Sequence, residues 1–240
     1  MHLLWNVLRH AVPLIVHGDP YLFSVVLFTL EVSAVATAFA LLIGLPIALA
    51  LGLGRFRGRG VLIGLANASL GLPPVLVGLL LFLIMVPRGP LGSLHLLLTR
   101  QGVYLAQTIL ALPYVVALGA AAVQGLPPGL PAQARTLGAS RLQLAVLAVR
   151  EARIGVLAAV IAALGTTLSE VGAIVIVGGN VYSYDQTLAS AALFEADAAH
   201  FAEAVAIGIV LIALILVLMG GVSLLGQREG GIGLRFRSAT

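Results

Sequence analysis

A carboxylate, Glu170, lies well inside a long apolar stretch of this 240-residue chain, and adjacent prolines, Pro73 and Pro74, interrupt another. An ionisable group at bilayer depth is costly, so it marks either a functional contact or a paired group. Two readings of Glu170 stand. It touches a transported species, or it bonds backbone released around Gly71–Pro74 or pairs with an arginine near one membrane face. Pro73 and Pro74 remove two backbone donors, and lipid tolerates such a gap only where protein or a water-filled cavity satisfies the freed carbonyls. With Asn67, Ser69 and Gly71 beside them, the prolines read as a pathway-lining segment or as a packing kink. Gln107, Thr108, Thr166, Thr167 and Ser169 add neutral hydrogen-bonding groups to later apolar stretches. Each is either a pathway lining or the polar glue that joins membrane helices.

Other chemistry is excluded by residue type. The chain has no cysteine, so disulfides, thiolate metal sites and cysteine nucleophiles do not arise. Its five histidines are scattered without ligand spacing, and no metal site is expected. No phosphate-binding GxxxxGK[ST] run occurs, and no Ser/His/Asp set falls on neighbouring stretches. Catalytic residues and a resident cofactor are therefore not expected.

The elements that must position these groups follow from composition. Hydrophobic residues make up 60% of the chain and charged residues 9%, and the mean hydropathy is +1.13. An ordinary soluble domain carries about 25% charged residues, so a cytosolic globular enzyme is excluded and an all-α membrane protein expected. The charges bound the spans. Uncharged runs lie between Glu31 and Arg55, Arg59 and Arg88, Arg100 and Arg135, and Glu203 and Arg228. Each reaches the ~20 apolar residues that cross a bilayer. Five spans are expected, near 32–54, 61–86, 103–124, 154–177 and 204–226.

Residues 1–20 read differently. Asn6, Arg9, His10, Pro13 and His17 recur every three or four positions and make a narrow polar stripe, the pattern of an interfacial amphipathic helix rather than a signal peptide. Residues 21–31 read as a lead-in helix joined to the first span, residues 227–240 as a short cytoplasmic tail. All thirteen cationic residues are arginine. Placing the loop after span three in the cytoplasm puts ten of them inside and leaves Arg9, Arg88 and Arg100 outside, a strong positive-inside bias. The N-terminus is then outside and the C-terminus inside. The arginines read as membrane orientation, and no nucleic acid partner is expected.

The loop 125–153 is long for a simple reversal. After the run Leu126-Pro127-Pro128-Gly129-Leu130-Pro131, Ala132–Leu137 reads as a short helix ended by Gly138, with Ser140 as N-cap of a second helix. It is either a membrane-parallel connector or a docking surface. Gln133-Ala134-Arg135-Thr136-Leu137-Gly138-Ala139-Ser140 resembles the cytoplasmic coupling loop of type I ABC importer permeases, with Ala132 where that family has glutamate. Gly71–Gly78 and Leu168–Ala173, the latter running on to Val177-Gly178-Gly179-Asn180, resemble the oxyanion permeases, and the combination is most similar to the tungstate type.

That resemblance implies the type I ABC importer permease fold: five transmembrane helices, an interfacial helix and a cytoplasmic coupling helix. It implies an inner-membrane homodimer with two ATP-binding cassette ATPase subunits and an extracytoplasmic oxyanion-binding protein. ATP and magnesium would sit on the ATPase partner, with no cofactor in this chain. Gln133–Ser140 and Arg141 would face the ATPase. Asn67, Pro73, Pro74, Gln107, Ser169, Glu170 and Asn180 would line or shape the anion path. A carboxylate repels an oxyanion, so the structural reading of Glu170 is preferred. The imported anion would be tungstate or molybdate. The alternatives are sulfate or another small solute on the same fold, and an ATP-independent secondary transporter.

Overall fold

The computed structural model describes residues 20–231, with side chains described through residue 224. The described residues form ten α-helices: α1 Pro20–Leu53, α2 Arg59–Ser69, α3 Pro74–Met85, α4 Arg100–Gln124, α5 Leu130–Thr136, α6 Arg141–Glu151, α7 Arg153–Ser169, α8 Gly172–Gly178, α9 Leu188–Asp197 and α10 Phe201–Gly231. A 3-10 turn occupies Gly92–Leu94. Residues 1–19 and 232–240, which hold most of the expected interfacial helix and tail, lie outside the described residues.

Helices α1, α4 and α10 are each long and apolar enough to cross a bilayer. The pairs α2/α3 and α7/α8 qualify only jointly, as spans broken by sharp bends. By length and composition the described residues hold three continuous spans, or five if each bent pair counts as one span. The span over 61–86 is interrupted at the prolines as expected, stopping at Ser69 and restarting at Pro74, whereas the span expected over 154–177 needs correcting, because it stops at Ser169 and restarts at Gly172. Hydropathy reports where a run is apolar and not whether its helix axis is straight.

The lead-in helix over 21–31 is continuous with the first span, as expected, so that one helix covers both. Pro20 opens α1, a position where proline's missing N–H costs nothing. Glu31 then falls within the helix, where its carboxylate accepts the Tyr104 hydroxyl at 2.6 Å. At ~1.5 Å per residue, the 34 residues of α1 measure about 51 Å, well beyond the ~30 Å of a hydrocarbon core. The last span is likewise longer than 204–226, and the loop 178–203 carries the unforeseen helix α9.

The helices divide into two compact units, one made of residues 20–36, 72–110 and 164–217, the other of 37–71, 111–163 and 218–231. In the first unit, Leu81 and Met85 of α3 pack against Ala106 and Leu110 of α4 and Ala173 and Val177 of α8. Val25 of α1 packs with Leu188 and Ala191 of α9 and Ile207 of α10.

The second unit is built on small residues at intervals of four. Ala40, Gly44, Ala48 and Gly52 of α1 face Ala111, Val115, Gly119 and Val123 of α4. A Cβ placed on Gly44 would lie 2.9 Å from Val115, and one on Gly52 2.5 Å from Val123. On the opposite flank, a Cβ on Gly155 of α7 would lie 2.4 Å from that of Ala122. Helices in lipid gain little from burying apolar surface and associate by such close backbone approach.

Gly52→Ala should therefore destabilise the chain by about 1–3 kcal/mol through overpacking, despite alanine's higher helix propensity. Gly208→Ala on α10, where the new methyl meets nothing within 4 Å, should be neutral or stabilising. Thermal unfolding of both variants in detergent, followed by circular dichroism, makes the comparison. Equal melting temperatures would remove the packing account of Gly52.

Candidate functional site

The loop between α4 and α7 is a folded element. Gly129 takes a left-handed φ of 93°, and α5 starts at Leu130 with Pro131 in its first turn. The expected helix thus begins two residues earlier than Ala132, since proline is well suited to that position. Gly138, with φ 83° and open space about its Cα, reverses the chain: its N–H bonds to the Arg135 carbonyl and that of Ala139 to the Ala134 carbonyl. Ser140 caps α6 as expected, and Gln143 completes a reciprocal capping box with it. Ala134 and Leu144 are buried, whereas Leu137 at the end of α5 is 88% exposed. Gln133, Arg135, Thr136, Gly138, Ser140 and Arg141 are exposed as well. The second helix is anchored from below, Ala148 and Ala152 packing against Val123, Leu49 and Leu53. The result is a short exposed turn held on rigid helices.

The two breaks lie against each other within the first unit. Pro73 is the extended N-cap of α3 and Pro74 its first residue. Across from them α8 begins at Gly172, where a Cβ would stand 2.5 Å from Val75, while a Cβ on Gly78 would stand 2.7 Å from the Ala173 Cα. Glycine is required at both points of contact. Glu170 Oε1 accepts the Ala173 N–H at 3.1 Å. Its carboxylate therefore satisfies a donor freed by the break in its own span. Among the described residues, neither the backbone of the Pro73-Pro74 segment nor an arginine is its partner, as had been expected of it. Ser169 is exposed, its hydroxyl turned back to the Gly165 carbonyl at 2.7 Å.

The remaining sequence-derived candidates are dispersed. Asn67 is exposed on α2. Gln107 is fully buried in the first unit, with neither amide atom bonded among the described residues. Thr108 and Thr167 donate to carbonyls of their own helices, which leaves little donor capacity for a passing anion. Asn180, with φ 55°, follows the C-cap of α8 and donates to the Ser190 carbonyl.

Sequence reasoning missed a polar knot in the loop before α9. Asp185 and Gln186 are buried. Asp185 Oδ1 accepts the Val181 N–H, and Gln186 Oε1 accepts the Tyr21 hydroxyl at 2.7 Å. Tyr21 also stacks on Tyr182, ring centroids 4.3 Å apart. Arg100 donates to the Tyr184 carbonyl at 2.8 Å, its guanidinium lying over Phe28. The available signal was the Thr187…Ser190 spacing, a capping pair that starts α9. Burial pushes the Asp185 carboxyl up from the ordinary aspartate range, against the N–H groups of Val181 and Asp185 itself and the charge of Arg100.

Two outcomes follow from these contacts. Glu170→Ala should cost about 1 kcal/mol through the lost cap of α8, whereas Glu170→Gln, which retains an oxygen acceptor, should melt close to the wild type. Asp185 binds its proton more tightly folded than unfolded. Its favourable contribution is therefore complete at low pH and is lost as pH rises beyond the ordinary aspartate value, about 3.9. Asp185→Asn should melt progressively above the wild type between about pH 4 and pH 7. A constant offset across that range would rule out the titration.

Comparison with known proteins accords with this architecture. Residues 40–230 match the family described as "Binding-protein-dependent transport system inner membrane component". A "Probable anion ABC transporter permease protein" of Haloferax volcanii is 40% identical over 213 residues, 87% of this chain and 90% of that protein. "Tungstate uptake system permease protein TupB" of Peptoclostridium acidaminophilum is 29% identical, the match covering 85% and 90% of the two chains. For "Molybdenum transport system permease protein ModB" of Escherichia coli the values are 28%, 69% and 76%. In fold, the chain is similar to a permease solved in inward-facing MetNI methionine ABC transporter crystals, with TM-score 0.62 at 18% identity, over 88% of this chain and 96% of that one. The protein thus belongs to the inner-membrane permease components of binding-protein-dependent ABC transport systems, with the type I importer fold.

Proposed function

We propose that this permease imports a tetrahedral oxyanion, with tungstate favoured and molybdate next, in a homodimer served by two ATPase subunits and an external binding protein. The observation that carries the reading is the agreement of relatives named for anion, tungstate and molybdenum transport along most of the chain. Kinship among relatives, and not a basic pocket, supports the substrate class. Sulfate or another small solute is the remaining alternative on this fold.

The coupling role is supported by the geometry of α5. Its exposed residues Gln133, Arg135, Thr136 and Leu137, together with Gly138, Ser140 and Arg141, present small and basic groups on a turn fixed to helix ends. An ATPase groove can approach such a turn closely. Helix α7 begins at Arg153, beside the loop, and runs unbroken to Ser169, next to Glu170. Displacement of the loop when ATP draws the ATPases together would be passed along that rod to the hinge at Glu170. The arginine distribution supports an outside N-terminus and a cytoplasmic C-terminus. Chemistry stays with the ATPase, and this chain converts a motion.

The test is reconstitution with cognate ATPase and binding protein in liposomes, measuring uptake of tungstate, molybdate and sulfate with and without ATP. Uptake should require ATP, and sulfate should not compete with tungstate. Nucleotide-independent uptake would overturn the ABC reading. Gly138→Asp, which adds charge and strain at a left-handed position, should lower ATP-driven uptake at least about tenfold, with membrane insertion unchanged. Undiminished uptake would remove the coupling role from this turn.

A further inference from the structure

Two cavities of the second unit meet at Arg135. One, of about 400 Å³, is lined by Arg55, Arg59, Arg135, Gln124 and the turn at Pro127–Gly129, with no carboxylate in its wall. The other, of about 740 Å³, is mainly apolar, with Leu49, Leu53, Phe56 and Leu144 in its wall beside Arg135 and Arg141. They share Leu53, Gly54 and Arg135. Arg59 is already engaged, donating to the Leu51 and Gly52 carbonyls at the end of α1. Arg55 and Arg135 are exposed, and their guanidinium groups make no hydrogen bond or ion pair with the described residues.

A guanidinium presents a planar donor fork that matches phosphate oxygens. Two unpaired forks over a cavity without acid make a site for a tetrahedral oxyanion group. Free phosphate leaves the adjoining apolar cavity unexplained, whereas a phosphate carried on an acyl chain uses both. The basic cavity also lies where α1 and α4, two helices able to span a bilayer, come to their ends, the level at which headgroups meet basic side chains.

We propose that the paired cavities bind one anionic phospholipid, its phosphate on Arg55 and Arg135 and an acyl chain along Leu49, Leu53, Phe56 and Leu144. Since Arg135 belongs to α5, the lipid ties the loop to the end of α1. That the tie bears on coupling rests on the function proposed above; the binding itself does not.

The test uses the full chain in neutral detergent, titrated with phosphatidylglycerol, phosphatidylcholine or inorganic phosphate, bound lipid being counted by native mass spectrometry. Phosphatidylglycerol should be retained, phosphatidylcholine should not, and phosphate should fail to displace the lipid. Replacing Arg55→Gln and Arg135→Gln together should weaken phosphatidylglycerol binding about 30-fold. The pair Arg57→Gln with Arg150→Gln removes the same charge outside both cavities and should leave binding at the wild-type level. Equal loss in the two double variants would mean diffuse charge attraction and overturn the site. Displacement by phosphate or tungstate alone would reassign it to a free oxyanion, and displacement by added ATPase subunits would reassign it to the protein interface. The wild-type lipid comparison is decisive even if a variant fails to fold. It requires neither ATP nor a binding protein, so failed uptake in liposomes would not bear on it.

Discussion

Close approach of helices through small side chains is the constraint on which the second unit depends. Along α1 and α4, residues four apart keep meeting because 3.6 residues make a turn and a row of i, i+4 positions forms a nearly straight ridge. Ala40, Gly44, Ala48 and Gly52 leave that ridge bare, so the side chains of Val115 and Val123 seat directly on α1 backbone. Gly155 repeats the device on α7 against Ala122. In water a large hydrophobic core would serve the same purpose. In lipid it would not, because apolar side chains lose little by facing hydrocarbon, and Leu42, Leu65 and Leu80 stand exposed on the chain's surface.

The same constraint explains why the exposed loop can be firm. A seven-residue helix has too few internal bonds to persist alone, since nucleation is unfavourable and only propagation recovers it. Helix α5 is held instead by Ala134 beneath it, by the reversal at Gly138, and by α6, whose Ala148 and Ala152 rest on the ends of α1 and α4. Tight packing below therefore fixes the position of Leu137 and Arg135 above. Rigid support is what the coupling role proposed for this turn requires, because a compliant turn would absorb a displacement.

Much of this was legible in the residues. Charge spacing marked out four of the apolar stretches, and the loop's turn chemistry was readable at Gly138 and Ser140, where conformation follows from local sequence. What escaped was whatever depends on residues far apart in the chain. The break at Glu170 has no proline, and its shape comes from Gly172 meeting Val75, a contact that no local pattern announces. Glu31 marks the edge of an apolar run, yet the helix continues through it because Tyr104 supplies a donor from another helix. Gln107 was chosen as a polar residue in a span, but its full burial reflects its position on the α4 face turned to the core, which composition does not encode.

Glu170 shows why a carboxylate can persist in the span of a protein proposed to carry anions. Breaking the span at 169–171 frees backbone donors at the start of α8, and leaving one of them without an acceptor costs about 1–3 kcal/mol. A charged acceptor makes a stronger bond to an N–H than a neutral one does. The carboxylate therefore offsets a cost created by the break, and its charge is directed toward the α8 backbone instead of toward a passing ion. Were its role to bind substrate, replacing its charge with a neutral amide would strengthen anion capture. Were its role to hold the break, the amide would suffice and alanine would not. The bond to the Ala173 N–H supports the second, and it makes the hinge a property of backbone satisfaction rather than of substrate charge.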